Sequence, residues 1–320
     1  MIRLNVGRHW AIASALFLLV GCGGSQSEAI TPQGSAPVPQ RSARGAMGSG
    51  TDLLYVVTSM QTDILTYPGY KQVRSIKGFL GNATSNPNNG NVLFDNFYNA
   101  VEYARGGAKP IADFIPPENG EAYFDAAFDP TTNNIAVTVV GGNQSGDSVA
   151  VYQSSSQSPA FFYDTNMPYL DYLCYDNQGN LFVTGSAMNG DANMIAELPH
   201  ASGTFTNINI NQSLSDMKAL RWDGTYITVA SGSSIYRLQF SGSSGIVVGK
   251  TTPKGFWARD GRYWIQGDTL IATHTSPETG TYLGFWKYPT GGRAFKTIKT
   301  LSLNHKDRLM DVTVSINPSR

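Results

Sequence analysis

The residues of this chain best suited to chemistry recur at one point of a repeated strand. Asp125, Tyr172 and Asp311 each precede the end of an apolar segment by the same distance, with Asp171 and Lys218 one residue earlier and Asp216 close by. Carboxylate oxygens brought together in that way suit a hard divalent cation such as calcium. The competing reading is that Asp125, Asp171 and Asp311 are strand-start residues, solvated or satisfying local backbone donors.

Other patterns yield less. His9, His200, His274 and His305 are scattered, with no pair at zinc-ligand spacing. Gly249-Lys250-Thr251 imitates the end of a phosphate-binding loop, but Ser244 stands where its first glycine belongs and the segment reads as an outer strand. Ser145, in Gly142-Asn143-Gln144-Ser145-Gly146, misses nucleophile-elbow spacing and reads as a turn. The Asp176–Asn180 and Asn189–Asn193 stretches offer oxygen ligands without the distant glutamate of a calcium loop, so turn chemistry accounts for them. Cys174 has no partner cysteine once Cys22 is assigned to the leader junction, and it reads as a small buried apolar residue. Trp257, Tyr263, Trp264 and Trp286 could stack on sugar, but large aromatics are also what packed sheets need.

The elements that must carry these residues are short strands. Segments rich in β-branched and aromatic residues recur at Leu53–Val57, Asn91–Phe94, Ile135–Val139, Leu181–Thr184, Tyr226–Val229 and Thr269–Thr273, about 38 to 46 residues apart. Each is followed by a second strand, as in Val149-Ala150-Val151-Tyr152, and then an outer one, as in Arg293 to Ile298. An inner strand precedes the first segment of the later units and often closes in an Asp-led turn, as in Ala126-Ala127-Phe128-Asp129 and Leu220-Arg221-Trp222-Asp223-Gly224. The first unit lacks this inner strand, and Met310–Ser315 supplies one with nothing after it. The chain therefore reads as all-β, a six-bladed β-propeller over residues 51–320 whose C-terminal strand completes the first blade. In the second unit, Gly81 to Gly90 is too rich in Asn, Ser and Pro to make a convincing inner strand.

The repeats resemble those of the bacterial NHL-type and SMP-30-like six-bladed propellers. The likeness rests on Asp176-Asn177-Gln178-Gly179-Asn180-Leu181-Phe182-Val183, on Ser85 to Phe94 and on the Tyr-x-x-Gly-Gly endings. The chain departs from the NHL pattern where Thr58, Thr184 and Ala230 replace an Asp after the second strand. The SMP-30-like resemblance implies a divalent metal in the channel activating substrate or water. No ligand motif of that family aligns residue by residue, and the carry-over to Asp125, Asp171, Tyr172, Asp216, Lys218 and Asp311 is by topology alone.

The N-terminus adds a location. Arg3 and Arg8 precede the apolar run Trp10–Val20, which at roughly 11 residues is too short to span a bilayer. Leu19-Val20-Gly21-Cys22 resembles the lipobox of a bacterial lipoprotein, which implies cleavage after residue 21 and a lipid on Cys22. Residues 22–50, rich in Gly, Ser, Pro and Gln, read as a flexible tether. Gly23 stands where an inner-membrane retention signal would place Asp, so an outer-membrane or cell-surface position is favoured. With 23 basic and 23 acidic residues and no basic cluster, nothing favours a nucleic acid. The reading is an extracytoplasmic, membrane-anchored binding module with no resident cofactor. It takes a protein, peptide or glycan on one face. The alternative is a metal-assisted hydrolase or lactonase working in the channel.

Overall fold

The computed structural model describes residues 50–319, apart from 79, 117–120, 142–145, 154–155, 157, 189–192, 257–261, 277–279 and 300–307. The leader, Cys22, the tether to residue 49, Ser145 and its turn, residues 189–192, Trp257 and His305 lie outside the described residues.

The chain folds into antiparallel four-stranded groups, each running from an inner strand outwards. The first is built from β1 (Asp52–Thr58), β2 (Gln61–Tyr67) and β3 (Gln72–Lys77). The second is β4 (Asn82–Ser85), β5 (Val92–Asp95), β6 (Ala100–Tyr103) and β7 (Pro110–Phe114), and the third is β8 (Ala122–Phe128), β9 (Ile135–Val140), β10 (Ser148–Tyr152) and β11 (Ala160–Phe162). The fourth is β12 (Tyr169–Tyr175), β13 (Leu181–Ser186), β14 (Asn193–Leu198) and β15 (Thr206–Ile210), and the fifth is β16 (Met217–Trp222), β17 (Ile227–Ser231), β18 (Ser234–Ser241) and β19 (Ser244–Thr251). The sixth is β20 (Tyr263–Gln266), β21 (Thr269–Ser276), β22 (Gly280–Lys287) and β23 (Gly291–Lys299). The Gly249-Lys250-Thr251 segment thus lies in an outer strand. A short parallel pairing, Asn209 with Ser244 and Ile210 with Gly245, joins the outer edges of the fourth and fifth groups into one eight-stranded sheet.

The last strand, β24 (Leu309–Ser315), pairs with β1 as the inner strand of the first group, with Leu54 opposite Val314 and Val56 opposite Val312. An unpaired edge at β1 is thereby removed. The apolar residues of each strand point alternately to the sheet in front and the sheet behind, as the two-residue period requires. Among the described residues six apolar clusters result, one between each successive pair of groups. The last of these packs Ile271, Leu283 and Phe285 of the sixth group against Leu54, Val312 and Val314 of the first. That cluster closes the ring.

The polar second unit does contain an inner strand, contrary to the sequence reading. β4 is held by polar contacts to its neighbours instead of by apolar alternation. The Ala83 N–H donates to Asp311 (2.9 Å), the Ser85 hydroxyl donates to the Val314 carbonyl (2.9 Å), and Asn82 Nδ2 donates to Asp95 (2.7 Å) and to the Phe124 carbonyl (3.0 Å). Gly81 makes the approach possible: its φ is 81°, and a Cβ there would fall 1.5 Å from the Asp95 carbonyl oxygen.

Candidate functional site

The inner strands are irregular at the point where the sequence places its charged residues. Register shifts occur between Tyr123 and Ala126 in β8, between Leu170 and Leu173 in β12, and between Lys218 and Leu220 in β16, and β24 shifts against β1 at Val57/Thr58. A bulge leaves a residue out of the ladder and re-aims its side chain. In two strands a threonine on the next strand holds the bulge. Thr138 Oγ1 accepts from the Asp125 N–H (2.9 Å), and Thr184 Oγ1 accepts from the Tyr172 N–H (3.1 Å). The Thr138 hydroxyl lies 2.9 Å from the Asp171 carbonyl, tying the third group to the fourth.

Asp125 and Asp311 are thereby sunk into the ring, at 2% and 0% exposure. Arg262 Nη1 donates to Asp125 Oδ1 at 2.6 Å, the Leu173 N–H donates to Oδ2 at 3.0 Å, and Arg221 Nη1 stands 4.0 Å from Oδ2. Asp311 accepts from the Ala83 and Val312 N–H groups. Arg262 also approaches the Phe124 carbonyl, and its guanidinium lies 4.9 Å from the Tyr172 ring centroid and 6.0 Å from that of Phe124. Burial and three carboxylates bear on this one guanidinium. Burial disfavours its charge, but Asp125, Asp311 and Asp95 outweigh it and hold the proton firmly. Burial raises the Asp311 carboxyl and pushes Asp95 up to about 8, with Arg262 opposing the shift in both cases.

Of the sequence candidates, the structure thus gathers Asp125, Asp311 and Tyr172 around Arg262. Asp216 and Lys218 form a separate, partly exposed pair at 2.8 Å, with Asp171 nearby, its carboxyl raised by burial against the pull of Lys218. The sequence reading missed Arg221, Arg262, Asn82 and Asp95. The visible signal was a charge inside apolar runs: Arg221 between Leu220 and Trp222, and Arg262 directly before Tyr263-Trp264-Ile265.

This cluster is poorly suited to a cation. The carboxylates of Asp125 and Asp311 are spent on backbone N–H groups and on Arg262, and two guanidiniums stand where a metal would need negative charge. Among the described residues no group of three or more His, Cys, Asp or Glu is placed to hold a metal. Cys174 is buried in the cluster between the fourth and fifth groups, and its thiol is raised by burial, the inert condition for a cysteine. Tyr263 and Trp286 are core residues, the first bonded through its hydroxyl to Thr228 and the second through Nε1 to the Lys254 carbonyl.

On the other side of the cluster the channel opens. A cavity of 460 Å³ lies at the ends of the inner strands, and all six contribute to its wall, among them Thr84, Phe128, Arg221, Trp222, Trp264 and Val314. Asp95, Asp125, Asp311 and Arg262 do not line that wall, whereas Arg221, 4.0 Å from Asp125, does, so the cavity lies on the turn side of the ionic cluster. Among the turns around the opening, which include one at Gln266 and Gly267, four share one device. Asn86, Asp129, Asp176 and Asp223 each accept, through Oδ1, the N–H two residues on, at 2.7–2.8 Å. The carboxylates of Asp176 and Asp223 are thus committed to their own turns, and Asp223 also accepts from the Tyr288 hydroxyl at 2.6 Å.

A ring of radial four-stranded sheets around a central channel defines a β-propeller. Solved structures agree on that fold. A chain of the Nidogen/Laminin complex superposes with a TM-score of 0.62 at 15% identity, over 84% of this chain and 99% of that one. A protein of unknown function from Bacteroides caccae gives 0.58 at 13% identity, over 83% and 99%. TolB from Acinetobacter baumannii gives 0.51 at 14% identity, over 76% and 63%. No family model and no curated protein matches the chain. At these identities the likeness is one of fold, and function has to be argued from the site.

Proposed function

We propose that this protein is a non-catalytic binding module, held at a bacterial membrane by a lipid on Cys22 and displayed outside the cytoplasm, at the outer membrane or cell surface. It engages a protein, peptide or glycan on the turn face of the propeller. One observation carries the reading: the carboxylates of Asp125 and Asp311 are paired with backbone N–H groups and Arg262, while a cavity of ligand size opens among the turns that follow the inner strands. The Leu19–Cys22 motif supports the anchor, and the 22–50 stretch supports a tether of some length.

The test uses the full-length chain in detergent, cross-linked to partners in an envelope extract. Asn177 is exposed and lines the cavity. Asn177→Trp should reduce partner capture at least tenfold, whereas Tyr98→Ala, at an exposed tyrosine in the β5–β6 loop on the opposite face, should leave it intact. The reverse pattern would refute the assignment of the binding face.

A further inference from the structure

We propose that the turn-face cavity takes a carboxylate carried on a flat apolar body, with Arg221 reading the carboxylate. The inference deepens the binding reading above and rests on it. Arg221 is 7% exposed and lines the cavity on the floor side, next to the ionic cluster. A guanidinium has five N–H donors. Here Nη1 donates to the Leu220 carbonyl at 2.8 Å and Nε is sealed in the wall without an acceptor, which leaves Nη2, with no protein acceptor among the described residues, as the donor for an arriving group. Among the described residues the one carboxylate within 4.0 Å is Asp125, which already holds Arg262 and the Leu173 N–H. A buried guanidinium with donors unmatched is costly, and an arriving carboxylate would repair it with charge-assisted bonds.

Among the described residues, the neighbouring acids leave Arg221 without a directly hydrogen-bonded carboxylate. Asp125 is bonded to Arg262 and to the Leu173 N–H, while the carboxylates of Asp176 and Asp223, which also line the cavity, spend their oxygens on their own turns and, for Asp223, on the Tyr288 hydroxyl. The rest of the wall suits a flat apolar group: Trp222, Trp264 and Phe128 border a volume within the range of small-molecule pockets.

The carboxylate could belong to a free aromatic acid or to the C-terminus of a peptide, and paired probes separate the two. Phenylacetate and phenylacetamide, then Gly-Gly-Gly-Phe as free acid and as amide, are titrated into the full-length chain. Binding is read by quenching of tryptophan fluorescence, to which Trp222 and Trp264 contribute, and by calorimetry. Either acid binding at least about tenfold tighter than its amide supports the proposal, and which acid binds tells the source. Equal binding of acid and amide, or no binding of any probe, overturns it. Arg221→Lys keeps the charge but loses the planar fork and its Nη2 donor, and should cut acid affinity about tenfold while leaving any amide binding unchanged. An unchanged acid preference in that variant also overturns the proposal. Should the variant not fold, the acid-to-amide ratio in the unaltered chain decides. Loss of partner capture by Asn177→Trp is independent of these ratios, so the wider binding reading can stand when the carboxylate falls.

Discussion

Removing residues 309–320 should unfold the propeller or leave it barely stable. The deleted β24 contributes Leu309, Val312 and Val314 to the cluster that joins the sixth group to the first, all essentially buried. At roughly 1.5 to 3 kcal/mol for each buried aliphatic side chain, their loss costs about 5 to 9 kcal/mol. The deletion also removes Asp311, leaving the buried Ala83 N–H without its acceptor, and bares the β1 edge over the six paired positions from Leu53 to Thr58. Set against a typical total of about 5 to 15 kcal/mol, the apolar loss alone consumes most of the stability. Because a chain that fails to fold reports little, the deletion is paired with Val312→Ala and Val314→Ala. Each removes buried methyl groups and should cost about 2 kcal/mol. Equilibrium denaturation followed by tryptophan fluorescence measures all three. A truncated chain that unfolds at the same denaturant concentration as the intact one, or alanine variants with no loss, would refute ring closure by β24.

The remaining predictions concern charge and anchor. Asp125→Asn should cost about 3 to 5 kcal/mol by leaving the buried Arg262 without its charge partner, yet neither it nor Asp311→Asn should alter calcium binding; tight calcium binding by calorimetry that vanishes in the double variant would revive a metal site. Asp95 binds its proton more tightly folded than unfolded, so stability is full below the usual carboxyl range, near pH 4, and falls as pH rises toward about 8. The melting temperature should therefore be lower at pH 9 than at pH 5, and Asp95→Asn should flatten that slope, the remainder belonging to the other carboxyls raised by burial, Asp311, Asp171, Asp147, Glu102 and Glu197. Cys22→Ser should abolish labelling by a palmitate analogue and move the protein out of the membrane fraction; a variant still labelled and still membrane-bound would end the lipoprotein reading.

Strands announced by β-branched and aromatic alternation were legible in the sequence, and so was the orphan Met310–Ser315 that completes the first group. The inner strand β4 was not, because its four residues, Asn82 to Ser85, are fixed by hydrogen bonds to Asp311, Val314, Asp95 and Phe124. Such partners lie up to 229 residues away in sequence, and propensity carries no record of them. The same distance hid the site. Asp125 and Asp311 could be picked out as charges on inner strands, but their role depends on Arg262, 137 residues from Asp125, and on bulges that turn them inward. The Asp-led turns could be read because Asp176 and Asp223 bond to their own neighbours, a local device with a local signature. The parallel junction between β15 and β19 had no such signature: Asn209 and Ile210 meet Ser244 and Gly245 across two separate groups, a pairing that no local pattern records.

The claim that binding occurs on the turn face can be tested without any substitution. Amide hydrogen exchange of the full-length chain is compared with and without its captured partner at saturation. The account predicts new protection in the turns at 86–91, 129–134, 176–180 and 223–226, which surround the cavity. Protection confined to the opposite loops, such as 96–99, with those turns exchanging as in the free chain, would contradict it.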